Sequence, residues 1–201
     1  IVKTDSVGAI QWQNTIGGYG DDRLYSIIKT NENGYILGGF SESNISGDKT
    51  ENSKGGRDYW IIKIDPVGNL VWQKDIGTNS SDELFAITKT SDGGCVVTGR
   101  TFGTLSGDKT EYSFGGNDIW VAKISGSGKL DWEKTLGGSG NETSYSVCEA
   151  SYNTYIIGGN SLSGISGNKT EGSRGLSDYW LVRLNLKENP DSITGKVYVS
   201  K

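Results

Sequence analysis

An all-β fold built from repeated four-stranded antiparallel sheets is what this sequence predicts, and three observations carry that reading. The chain repeats itself at intervals of 60 residues: Trp60, Trp120 and Trp180 are in register, as are Trp12, Trp72 and Trp132, and SGDKTE at 46–51 returns at 106–111 and as SGNKTE at 166–171. Its composition is that of a chain that turns often and packs with aromatics, with 31 Gly, 6 Trp and 10 Tyr among 201 residues but only 33% hydrophobic. Between the turn signals, short runs rich in β-branched and aromatic residues take the place of helical periodicity.

The elements follow in order. In the middle copy ELFAITKT (83–90) leads through the turn SDGG into CVVTGRT (95–101), a hairpin signal. A glycine-rich loop then runs to DIWVAKIS (118–125), and GSGK turns the chain into LDWEKTLGG (130–138). These are strands a, b, c and d. The first copy places them at 23–30, 35–41, 58–65 and 69–76; the third places a, b and c at 143–150, 154–161 and 178–185. Strand c is apolar both ways, with Trp60, Ile62 and Ile64 on one face and Tyr59 and Ile61 on the other, the pattern of a sheet buried on both faces.

A period of 60 residues is too long for a β-helix coil or a leucine-rich repeat and suits one β-propeller blade with a long loop. Residues 1–185 read as propeller repeats, in units 1–60, 61–120 and 121–180. The third copy lacks strand d, whereas the chain opens with the end of a strand c and a full d at 2–18. Since propellers have about four to eight blades, these three read as part of a larger ring, completed by missing blades of the same protein or by other chains. Residues 186–201 are either an outer strand or a linker into a following module.

Composition excludes several functions. The net charge is −4 with no Lys/Arg block, which argues against nucleic acid as a partner. No stretch approaches a membrane helix and no signal-peptide pattern opens the chain, so membrane insertion is not expected. Without histidine the chain lacks the commonest general base and metal ligand. Cys95 and Cys148 are not spaced as CxxC and read as buried free thiols in strands, with a disulfide as the alternative.

The run DYWIIKIDPVGNLVWQKDIG, followed by SDELFAITKTSDGGCVVTGRT, resembles the tandem propeller repeats of large secreted proteins from Bacteroidetes. The resemblance implies export to the cell surface or beyond, commonly through type IX secretion, and roles in adhesion or display. The tail SITGKVYVSK is similar to the opening strand of immunoglobulin-like or Cna-B-like modules that follow such repeats. Asp5-Ser6-Val7 and Asp191-Ser192-Ile193 are similar to the O-glycan acceptor sites of that phylum.

The b–c loops at 42–57, 102–117 and 162–177 are long enough to carry function. Their candidate ligand contacts are Asp48, Lys49, Asp108, Lys109 and Lys169, a rim of repeated polar grips for a protein or glycan. The alternative is that Asp and Thr side chains hold the loops' own turns, which repetition in every unit favours. Positions that differ between copies are better placed for specificity: Lys54, Phe114 and Arg174 at one loop position, and Tyr112 where Asn52 and Gly172 stand. Asp48, Glu51, Asp108 and Glu111 are possible Ca²⁺ ligands, but their spacing matches no calcium loop and Asn168 breaks the series, so no cofactor is expected. Asp22, Asp82 and Glu142 recur before strand a, and no carboxylate stands apart as a catalytic candidate. The reading is a non-catalytic binding, adhesion or spacing module; a polysaccharide-cleaving propeller and an inert secretion passenger are the alternatives.

Overall fold

The computed structural model describes residues 1–186, and these contain thirteen strands and no helix. A hairpin of β1 (Val2–Thr4) and β2 (Ile10–Gln13) precedes three sheets. The first sheet has β3 (Asp22–Lys29), β4 (Tyr35–Ser41), β5 (Asp58–Ile64) and β6 (Leu70–Ile76). The second has β7 (Asp82–Lys89), β8 (Cys95–Thr101), β9 (Asp118–Ile124) and β10 (Leu130–Leu136). The third has β11 (Glu142–Ser151), β12 (Thr154–Ser161) and β13 (Asp178–Asn185). Every pairing is antiparallel between sequence neighbours, so each sheet is a meander.

Local chemistry dictates the turns. Between β7 and β8 the Gly93 φ of 86° closes the turn, and in the first and third sheets Asn33 and Asn153 accept the same left-handed backbone. Between β5 and β6 Asp65 Oδ1 accepts from the amides of Val67 at 2.9 Å and Asn69 at 2.8 Å, an Asx turn. Asp5 repeats it in the opening hairpin with Val7 and Ala9, which places the Asp5-Ser6-Val7 segment in an exposed turn.

The sheets stack face to face in chain order. Tyr59, Ile61 and Ile76 of the first sheet share one core with Leu84, Val97, Trp120 and Ala122 of the second. Ile119, Val121 and Leu136, on the second sheet's other face, share another with Tyr155, Ile157, Trp180 and Val182 of the third. Each sheet thus has a tyrosine face (positions 59, 119 and 179) and a tryptophan face (60, 120 and 180). The opening hairpin covers part of the first tryptophan face through Ile1, Trp12 and Ile16. Burying side chains on both faces contributes roughly 1.5–3 kcal/mol for each large apolar group.

Two expectations need adjusting. The strand-d region at 130–138 ends in the fold at Leu136, because Gly137 and Gly138 turn toward the next sheet. Both cysteines are free thiols, but only Cys95 is buried, burial pushing its pKa up to about 12, whereas Cys148 is exposed. The outer-strand reading of 192–200 and the Asp191-Ser192-Ile193 segment lie outside the described residues.

The loop face as candidate functional site

The b–c loops interlock with the connections between sheets. Ser46 and Lys49 form an antiparallel bridge around a two-residue turn in which Gly47 has φ 53°, and the same turn recurs at Ser106–Lys109 and Ser166–Lys169. The turn is aimed at the connection from the preceding unit. Asp48 Oδ2 accepts from the Gly17 amide at 3.1 Å while the Asp48 amide donates to the Gly17 carbonyl at 2.9 Å. Asp108 grips Gly77 the same way, and Asn168 Oδ1 takes the Gly137 amide at 3.0 Å. An acceptor oxygen is all the position requires, which explains why Asn replaces Asp there.

The three lysines are a correction. Lys49, Lys109 and Lys169 lie inside the loops rather than on a rim, Lys49 being only 1% exposed. Lys49 Nζ bonds to Ser41 Oγ at 3.1 Å and pairs with the fully buried Asp75. Lys109 donates to the Glu111 carbonyl and Lys169 to the Ser163 carbonyl at 2.8 Å. Thr135 replaces Asp75 in the second unit, and burial there lowers the Lys109 pKa. Charges buried this way hold the loop.

The acidic series has the same role. Asp58 Oδ2 accepts from the Lys54 amide and from Ser53 Oγ at 2.9 Å, Asp118 from the Phe114 amide at 2.9 Å, and Asp178 from the Arg174 amide at 2.7 Å. Burial, reinforced by neighbouring Asp75, pushes Asp58 up to about 7, and burial with Glu142 nearby pushes Asp118 up to about 6. Asp22, Asp82 and Glu142 take the amides of Gly18, Thr78 and Gly138 at 2.7, 2.6 and 2.7 Å. Among the described residues, no group of three or more carboxylate or thiol side chains is placed to hold a metal ion.

The variable positions point outward or across. Lys54 lies against Gly107 of the next loop and pairs with Asp108 at 3.0 Å, Phe114 lies against Gly167, and Arg174 is exposed. Tyr112 is 76% exposed. Beside them stand apolar residues that the sequence alone did not single out: Ile45, Leu105 and Ile165, one per unit at the same loop position, with Phe102 and Leu162. Their 60-residue spacing was the available signal. A second repeated feature lies on the first strand of each of the three sheets, β3, β7 and β11. Each has a bulge at Tyr25, Phe85 or Tyr145, and these rings form a row with centroids 5.2 and 5.5 Å apart.

The class these features define is an all-β repeat protein whose loops are held by repeated polar side chains. No protein-family model matches the chain, and no curated protein sequence matches it.

Proposed function

We propose that this chain is a non-catalytic β-propeller segment of a secreted or cell-surface protein and that its b–c loop face binds a protein or glycan. The observation that carries the proposal is the exposed apolar set on that face. Ile45, Leu105 and Ile165, with Tyr112 and Phe114, project from loops whose polar groups are already engaged in holding the backbone. A solvent-facing apolar set on a rigid polar framework supports recognition, since aromatic and aliphatic anchors supply most contact energy. Repetition of the buried acids supports a structural role for them, because a hydrolytic pair is singular. The 60-residue register and the doubly buried sheets support the ring.

The test is a glycan array and a cell-binding assay with the wild-type chain and an Ile45→Ser, Leu105→Ser, Ile165→Ser, Tyr112→Ala variant. The variant is expected to keep its denaturation midpoint and lose binding at least about tenfold, the effect of removing about 1.4 kcal/mol of contact energy. Equal binding by both proteins overturns the loop-face assignment. Turnover of a polysaccharide overturns the non-catalytic reading.

A further inference from the structure

The two ends of the stack carry faces that match each other. On the tyrosine faces, Tyr59 and Ile119 are 0% exposed where the next sheet covers them, whereas Tyr179 is 101% exposed. On the tryptophan faces, Leu84 and Ile87 are 0% and 7% exposed under the first sheet, but Leu24 and Ile27 of the first sheet are 51% and 50% exposed. Beside them Ile16, Leu37 and Trp60 line a groove of about 210 Å³ that the opening hairpin leaves uncovered.

The polar contacts between the first and second sheets identify the occupant. There Tyr59 Oη donates to the Trp120 carbonyl at 3.1 Å, Ser26 Oγ accepts from the Ile87 amide at 3.2 Å, and Lys54 pairs with Asp108 at 3.0 Å. The second sheet cannot repeat these contacts on the third, since Ile119, Ala86 and Phe114 stand at those positions. The third sheet restores all three residues, as Tyr179, Ser146 and Arg174, and the first sheet offers Trp60, Ile27 and an exposed Asp48 opposite. Among the described residues, the two end faces, the first of them partly covered by the opening hairpin, therefore reproduce an interface that the chain already makes internally, including its charge pair.

We propose that a second copy of this chain docks its first sheet onto the third sheet of its partner, with Tyr179 on the Trp60 carbonyl, Ser146 on the Ile27 amide and Arg174 on Asp48. This deepens the proposed ring by naming what closes it. Made reciprocally, the contact closes two chains into a ring of six repeat sheets. The opening hairpin takes part. Val2–Thr4 of β1 stands at the repeat position of Val182–Leu184 in β13, so β13 takes over the pairing with β2, and β2 becomes the outer strand of the partner's third sheet.

Sedimentation velocity over a concentration series tests the contact, with Cys148 as reporter. This exposed thiol occupies the position of Ile28, which packs against the core of the first two sheets. The mass is expected to double from 21.6 kDa, and Cys148 labelling is expected to slow as the dimer forms while buried Cys95 stays unreactive throughout. Tyr179→Arg and Ile27→Arg each alter an exposed side chain and so leave the fold intact. Each is expected to give a monomer with fast Cys148 labelling, and a mixture of the two an open one-to-one pair, since each retains one good face. A monomer at every concentration overturns the inference. So does a dimer that Ile27→Arg leaves unaffected, which signals a symmetric contact between two tyrosine faces. An open chain that lengthens with concentration upholds the docking and overturns the ring.

Discussion

A swap of side chains between two loops shows how tightly each residue answers to its neighbours. In the first and third units a serine, Ser43 or Ser163, sits opposite a glycine, Gly18 or Gly138. Its hydroxyl accepts from the amide of Gly20 or Gly140 at 2.8 Å and donates to Asp22 or Glu142. In the second unit the pair is reversed, with Gly103 opposite Thr78. Thr78 Oγ1 accepts from the Ser80 amide at 3.2 Å and donates to Asp82 at 2.8 Å. The same hydroxyl thus arrives from the other side of the gap, and there is room for only one: a Cβ on Gly103 would stand 2.0 Å from Thr78 Oγ1, and one on Gly18 would stand 2.5 Å from Ser43 Cβ. Gly103→Ser alone is therefore expected to destabilise the chain by about 1–3 kcal/mol through overpacking. Thr78→Gly alone loses a buried bond to a carboxylate and costs about 1.5–3 kcal/mol. The double variant restores the arrangement of the other units and recovers most of both losses, so a urea-denaturation cycle should show strong coupling. Additive losses would sink the account.

At the scale of strands, burial depends on where a sheet sits in the stack more than on its own sequence. Trp120 is 0% exposed between the first two sheets, and Trp120→Ala is expected to cost about 3–5 kcal/mol in chemical denaturation. Tyr179→Ala, at the free end, is expected to stay within about 0.5 kcal/mol when measured on the unassociated chain. Gly99→Ala tests the bulged pairing of β7 with β8, because its Cβ would fall 1.9 Å from the Glu83 carbonyl oxygen; a loss of several kcal/mol is expected, with the circular dichroism of the second sheet disturbed. The strands themselves were legible in the sequence. Both faces of β5 and β9 read as apolar, and within the three repeats the turn residues placed the strand ends within a residue or two of the structure, whereas the full strand d read in 2–18 is only the four-residue β2. The bulges were not legible, since an inserted residue such as Phe85 looks like any other aromatic in a strand, and only the glycine opposite hints at it. Nor was the fate of the loop lysines: Lys49 reads as a surface charge until the fold brings Asp75 beside it from a strand 26 residues away. Long-range pairing of this kind leaves no local trace.

For the molecule as a whole, repetition multiplies small electrostatic effects into a pH dependence. Asp58, Asp82 and Asp118 all have pKa values raised by burial, Asp58 to about 7 and Asp118 to about 6, and each leaves one carboxylate oxygen without a partner. A carboxyl with a raised pKa binds its proton more tightly in the folded chain than in the unfolded one. Its contribution is complete below the unfolded value of 3.8 and is lost as pH rises through the folded value. Glu83, held low by Arg57 and Arg100 despite its burial, and Asp92, held low by Thr90 and Lys123 despite its own, act in the opposite sense, losing their contribution as pH falls through their folded values. The two sets together place maximum stability on the acid side of neutrality, because the raised set loses its contribution as pH climbs above 3.8 whereas the lowered set loses its own only below the unfolded values of 3.8 and 4.5. Urea midpoints are therefore expected to fall between pH 5 and pH 7.5. Asp58→Asn tests the cause, since its amide oxygen can still accept from the Lys54 amide and Ser53 Oγ while the titration is removed. That variant should flatten the decline, and Asp58→Asn with Asp118→Asn should flatten it further. A wild-type midpoint that instead rises toward pH 7.5 would mean that the buried acids are ionised and solvated, and that protonation is not what lets Asp58 and Asp118 sit against Gly77 and Gly137.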